Sequence, residues 1–210
     1  MSKMNLPNKL TVLRLIMVPI FMVVMLLPTF IEFNELTDTI LTIVGVLLFI
    51  AASYTDMLDG KIARRDNLVT DFGKFMDPLA DKFMVIGAML CIFYSNSVAG
   101  NRAVATLYFF TLIVVVFREL AVTSIRLVAN SSSGIVIAAN WMGKVKTVTQ
   151  IIAVCAAIIE PLIWKLCGVG GFVLTFPPIT FVTTAITIYL TIHSGINYIA
   201  GAWKYLDPEK

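Results

Sequence analysis

Four aspartates interrupt a chain otherwise rich in apolar residues: Asp56 and Asp59, then Asp77 and Asp81. An uncompensated aspartate in a membrane segment costs about 3 kcal/mol on insertion scales, and mutual repulsion adds to that. Something positive must therefore offset the group. Asp56 and Asp59 are three residues apart and Asp77 and Asp81 four apart, so each pair shares one face of its own helix. Two such faces opposed would form an all-oxygen nest. Oxygen donors without a neighbouring His or Cys favour a hard dication, Mg²⁺ or Mn²⁺, over zinc. Four carboxylates suit two ions about 3.5–4 Å apart, an arrangement that clamps the attacking and leaving oxygens of a displacement at phosphorus.

Small residues accompany the acids. Gly60 and Ala63 fall four and seven positions after Asp56, on its helical face, and leave that face without bulk. Close approach of a ligand is one reading and helix packing through small residues is the other. Arg64 offers a planar fork suited to phosphate, or a topology signal at a membrane boundary. Together these positions read D-x2-D-G-x2-A-R-x8-G-x3-D-x3-D, which chance would produce on the order of once in 10⁸ chains of this size. With Asp56, Asp59, Gly60, Ala63, Arg64, Gly73, Asp77 and Asp81 all in place, the chain resembles the CDP-alcohol phosphotransferase family.

The resemblance implies roles for individual residues. Asp56, Asp59, Asp77 and Asp81 are expected as metal ligands, with Asp81 also the base that takes the acceptor's proton. Asn8, Gly60, Arg64 and Thr70 are expected to hold the donor, CDP-diacylglycerol. It further implies a homodimer, with no nucleic-acid polymer among the partners.

The motif fixes the donor nucleotide and the reaction, and leaves the acceptor alcohol to the second half of the chain. There Arg118 and Glu119 break an apolar run, Arg126 follows eight residues later, and Lys144 and Lys146 open the next run. Cations inside membrane spans usually have a partner or a function. One reading makes Arg118, Arg126, Lys144 and Lys146 a site for the phosphate of an anionic acceptor. The other pairs Arg118 with Glu119 or with one of the aspartates and leaves the lysines as topology anchors. The arrangement from Arg118 to Arg126, followed by Gly143-Lys144-Val145-Lys146-Thr147 and Gln150, resembles that of bacterial phosphatidylglycerophosphate synthases, which implies glycerol 3-phosphate. Inositol phosphate, serine or phosphatidylglycerol are the alternatives within the family.

The elements that must position these residues are membrane helices. The 210 residues are 59% hydrophobic and 14% charged, with mean hydropathy +0.90, which excludes an ordinary soluble domain. Six runs are long enough to cross a bilayer, about 10–27, 37–57, 76–95, 103–129, 145–166 and 178–202. This predicts an all-α polytopic membrane protein of six transmembrane helices, one domain over 1–210, with 1–9 as an interfacial lead-in. The first run is expected to be a retained helix, since no small-residue cleavage site follows Pro28.

Lysines and arginines concentrate before the first run, at 61–74, at 144–146 and after the last, so both termini and the motif are expected on the cytoplasmic side of the cell membrane. Trp141 and Trp203 fall where interfacial anchors belong, and 130–134 reads as a loop. Asn8, Thr11 and Arg14 recur every three residues at the start of the first helix. That stripe either snorkels and caps, or faces a polar ligand. Cys91, Cys155 and Cys167 show no metal or disulfide spacing. A cation transporter is the remote alternative, but it calls for acids near mid-bilayer on broken helices rather than at a boundary beside Gly60 and Arg64.

Overall fold

The computed structural model describes residues 4–66, 68, 70–133 and 141–202, with the side chains of all but 64, 129–133 and 202. They form helices α1 (Leu6–Phe30), α2 (Glu35–Arg65), α3 (Asp71–Val98), α4 (Arg102–Ser133), α5 (Trp141–Leu166), the single turn α6 (Phe172–Thr175) and α7 (Pro178–Ala202). The six long helices correspond to the six apolar runs. Five of them, all except α3, contain a stretch long and apolar enough to cross a membrane by length and composition. In α3 the first half carries Asp71, Lys74, Asp77, Asp81 and Lys82, two of them acids of the motif, and these charges set it apart from the other five.

Capping sets the helix starts on the motif side. The Asn5 side chain accepts from Asn8 N, and Pro7 sits in the first turn of α1, where a missing N–H costs nothing. The expected lead-in segment is thus already helical from Leu6. Thr70 caps α3 through Gly73 N at 3.1 Å. The loop expected at 130–134 is corrected in part: α4 runs on through Ser133, because serine is a mild helix disfavourer with no glycine or proline before Gly134. Trp203 lies outside the described residues.

Helix α3 is central, touching α1, α2, α4 and α5, while α7 packs on α4 and α5. The shared core includes Phe21, Phe49, Met84, Met89, Tyr108 and Val154, with the Phe21 and Phe49 rings 5.5 Å apart. Large apolar side chains such as Phe117, Leu120 and Tyr189 point outward, as a lipid-facing surface requires. Because lipid is as apolar as leucine, small and hydroxyl side chains carry much of the helix association. Thr180, Thr184, Thr187, Thr191 and Ser194, spaced four and three apart, form one buried seam of α7. Thr187 Oγ1 donates to the Thr149 carbonyl of α5 at 3.0 Å, tying the two helices. At the opposite end from the motif, Glu160 accepts from Ile179 N, Thr180 N, Thr180 Oγ1 and Trp164 Nε1, locking α5 to the first turn of α7.

Candidate active site

The polar stripe of α1 turns inward onto the acids. Asn8, Thr11 and Arg14 are 8%, 1% and 0% exposed. Arg14 makes an ion pair with Asp56 at 2.7 Å and a second with Asp59. Thr11 Oγ1 donates to Asp77 Oδ1 at 2.7 Å, with Asp59 Oδ2 at 3.4 Å. One helix therefore touches three aspartates on two others.

Beside them Thr70 Oγ1 donates to Asn8 Oδ1 at 2.9 Å, and Asn5 Nδ2 donates to the Leu68 carbonyl at 2.9 Å. This brings Asn8 and Thr70, two of the expected donor-binding residues, into contact. Gly73 lies in the same place. A Cβ on it would stand 3.1 Å from Asn8 Oδ1, 3.3 Å from Thr70 Oγ1 and 3.7 Å from Asp77 Oδ2. The glycine of the motif keeps open a cradle lined by oxygens.

Gly60 follows Asp59 on α2, and the backbone of Arg64 continues that helix, while the Arg64 side chain lies outside the described residues. The neighbouring Arg65 is exposed and bonds Asp66 at 2.7 and 3.1 Å, which holds the Asp66 carboxyl below its usual range.

The acids are less tightly gathered than a ready-made nest. Among the described residues no three acid, His or Cys side chains are close enough to cage an ion unaided. The physical reason is local: Arg14 draws Asp56 and Asp59 to itself, Thr11 holds Asp77, and like charges spread the remainder. The donor set nonetheless fits a hard dication. It is all oxygen, it has a cradle at Gly73, and Asp81 Oδ1 is buried without a hydrogen-bond partner. Charge agrees as well, since four carboxylates against Arg14 leave the cluster strongly negative.

Asp81 faces a second compartment, a small cleft between α3, α4 and α5 whose lining includes Asp81, Lys82, Val115, Glu119, Lys146 and Gln150. Lys146 is 5% exposed and ion-pairs with Glu119; Arg118 Nη1 donates to the same Glu119 oxygen at 3.0 Å. Glycines make room for Arg118: a Cβ on Gly195 would sit 3.2 Å from its Cγ, and one on Gly143 would sit 4.0 Å from its Nη2. Arg118 Nε is left buried and unpartnered.

The four expected acceptor cations are thus sorted. Arg118 and Lys146 meet on Glu119. Arg126 is exposed against Tyr198, 3.5 Å from its hydroxyl and 6.0 Å from the ring centroid, and Lys144 is exposed at the start of α5. Among the described residues, no hydrogen bond or ion pair joins these two to Glu119. The Arg118–Glu119 pairing is the alternative the sequence left open, but Lys146 is no mere topology anchor.

Three contributors were not foreseen in these roles. Arg14 as counter-ion to two aspartates was foreshadowed only by its place in the stripe of α1. Glu119 as the shared anion of two cations had no signal beyond its adjacency to Arg118. Gln150, 2% exposed with no side-chain hydrogen bond among the described residues, had none beyond the family pattern.

The family model for CDP-alcohol phosphatidyltransferase matches residues 4–200. The chain is similar to the CDP-diacylglycerol–glycerol-3-phosphate 3-phosphatidyltransferase of Bacillus subtilis, 39% identical over 205 residues that cover 96% of this chain and 97% of that one. The protein of the same name from Escherichia coli K12 is 32% identical over 201 residues, 94% of each chain. A probable phosphatidylglycerophosphate synthase of Mycobacterium tuberculosis is 32% identical over 200 residues, covering 95% of this chain and 82% of the relative.

Proposed function

The chain belongs to the CDP-alcohol phosphatidyltransferase family, and on that premise we propose that it transfers the phosphatidyl group of CDP-diacylglycerol to glycerol 3-phosphate, releasing cytidine monophosphate. The observation that carries the acceptor is the cleft beside Asp81. The buried Lys146 of that cleft and the part-buried Arg118 beside it share a single carboxylate, Glu119. A dianionic phosphate is the partner such a pair can exchange for Glu119. A neutral alcohol gives it nothing to bind, and the carboxylate of serine brings one charge where glycerol 3-phosphate brings two.

Asn8, Gly60, Arg64 and Thr70 hold the cytidine diphosphate, with the acyl chains left in the bilayer. Asp56, Asp59, Asp77 and Asp81 would hold one or two hard dications, Mg²⁺ or Mn²⁺, which when bound neutralise the diphosphate and the departing nucleotide. Asp81, whose Oδ1 is uncommitted, accepts the proton of the acceptor hydroxyl. The hydroxyl oxygen then bonds to the phosphatidyl phosphorus, and the bond from that phosphorus to cytidine monophosphate breaks, its electron pair leaving with the nucleotide. Arg118 and Lys146 orient the acceptor through its phosphate. Arg126 and Lys144, both exposed, would meet it on the way in.

The acids sit at the basic end of the bundle, which the positive-inside rule places at the cytoplasmic face of the cell membrane. The Lys165–Glu35 pair, 3.3 Å, lies at the other end. A homodimer, implied by the resemblance, is part of the same proposal.

The test is direct. Purified protein with CDP-diacylglycerol and Mg²⁺ is offered glycerol 3-phosphate, inositol phosphate, serine and phosphatidylglycerol in turn, and the lipid product is identified. Phosphatidylglycerophosphate is expected, and Asp81→Asn should lower its formation by about 10²–10⁴ while the protein stays inserted. A different lipid product, or turnover undiminished in Asp81→Asn, overturns the assignment.

A further inference from the structure

We propose that Gln150 is a specificity-determining residue whose amide reads the acceptor's middle hydroxyl, the one that neither reacts nor carries phosphate. The inference rests on the transferase reading above and adds a recognition element that the motif and the charged cluster do not supply.

Gln150 is 2% exposed, and among the described residues its side chain makes no hydrogen bond; its Nε2 is fully enclosed without a partner. A buried polar group left unpaired costs roughly 1–3 kcal/mol. Such groups are rare in native structures and ask for an explanation. The surroundings supply one, because Gln150 lines the same cleft as Asp81 and Lys146.

Depth assigns the group it meets. Helices α3 and α5 both enter from the motif side and pack together. Asp81 stands ten residues past the first residue of α3 (81 − 71) and Gln150 nine past the first of α5 (150 − 141). At about 1.5 Å per residue both lie roughly 14–15 Å in, whereas Lys146 lies one turn shallower. The acceptor phosphate bound at Lys146 therefore leaves its carbon chain running toward Asp81 and Gln150. Asp81 takes the reacting hydroxyl, and the remaining hydroxyl falls to Gln150.

The chemistry matches. A hydroxyl both donates and accepts, and a primary amide is an uncharged side chain that can answer in both senses. A neutral reader here adds no charge to a cleft that already holds Asp81, Lys82, Glu119 and Lys146.

The experiment compares glycerol 3-phosphate with 3-hydroxypropyl phosphate, which keeps the phosphate and the primary hydroxyl and lacks the middle one. Release of cytidine monophosphate is followed with the full-length protein, CDP-diacylglycerol and Mg²⁺. Wild type should favour glycerol 3-phosphate by about tenfold in kcat/KM, the scale of one neutral hydrogen bond. Gln150→Leu should bring that preference to roughly twofold or less, with turnover of 3-hydroxypropyl phosphate and the KM for CDP-diacylglycerol little changed.

Gln150→Met, similar in length and without N–H, must behave as Gln150→Leu does, so the outcome does not hang on one variant folding. A wild type indifferent to the two acceptors, a preference that survives in both variants, or an equal loss on both acceptors overturns the role of Gln150. A wild type that uses CDP-diacylglycerol with neither acceptor sinks the transferase reading itself and takes this one with it.

Discussion

Replacing Arg14 by Gln should remove the cation that holds the acid cluster together in the absence of added metal. The Arg14 side chain is fully buried; its partners Asp59 and Asp56 are 5% and 34% exposed at the side chain. Breaking a buried ion pair by deleting one partner costs roughly 3–5 kcal/mol, because the other charge is stranded. Only Asp59 is stranded fully, since water already screens Asp56, so the lower end applies. About 3 kcal/mol is a factor of more than 10² in the unfolding equilibrium.

The protein carries its own reporter for this. Cys91 is a free thiol, 1% exposed in the C-terminal half of α3, so its modification by a thiol reagent tracks opening of the core. With Cys155 and Cys167 replaced, Arg14→Gln should raise the labelling of Cys91 under titration with denaturing detergent and shift the midpoint down. The decisive measurement is the cycle with Asp59→Asn, done without divalent ions. Once Asp59 is neutral, loss of Arg14 strands only the half-screened Asp56, and a coupling of about 2 kcal/mol between the two sites is expected. If Arg14→Gln costs as much in the Asp59→Asn background as it does with Asp59 intact, Arg14 acts by packing and the electrostatic account of the cluster is wrong.

Three further outcomes follow from the same geometry. Added Mg²⁺ or Mn²⁺ should protect Cys91 in wild type, by about 2.7 kcal/mol at a hundred times the dissociation constant; chelator should reverse the effect and Asp77→Asn should abolish it. Gly73→Ala, which places a Cβ 3.1 Å from Asn8 Oδ1 and 3.3 Å from Thr70 Oγ1, should raise the KM for CDP-diacylglycerol about 5- to 100-fold, on the scale of about 1–3 kcal/mol for overpacking, while leaving the KM for the acceptor alone. Arg118→Ala should raise the KM for glycerol 3-phosphate at least tenfold, the loss of a charge-assisted bond, whereas Lys144→Ala should change it by about twofold or less because that side chain is exposed. Equal effects of the last two would dissolve the sorting of the cations.

The fold was largely legible because a bilayer imposes one length scale, and runs of about 20 apolar residues answer to it. What escaped was set by short-range detail. The turn α6 is only four residues, below what periodicity can detect, and the serines at 131–133 extend α4 although serine in a polar context suggests a loop. The stripe at Asn8, Thr11 and Arg14 was visible as a stripe, but spacing tells which residues share a face and not which neighbour that face meets. Its partners lie 42 to 66 residues away along the chain, a separation that only tertiary packing resolves.

The grouping of the basic residues was different, since helix geometry could have divided them in advance. Residues two apart on a helix point about 200° from each other, so Lys144 and Lys146 cannot both face one cleft. The structure buries Lys146 on Glu119 and leaves Lys144 exposed. Arg118 and Arg126 are eight apart, roughly 12 Å along the axis, too far for one phosphate to be held by both without other movement. The same arithmetic selects Lys146 with Gln150, one turn apart on a shared face, and that face is the one turned to Asp81. What no spacing rule supplies is Glu119, the anion that keeps Lys146 buried and Arg118 part-buried before an acceptor arrives. On the proposed reading the acceptor phosphate must displace it, so the affinity of the cleft measures the difference between two anions for the same pair, and neutralising Glu119 should tighten phosphate binding only as far as the cleft survives its loss.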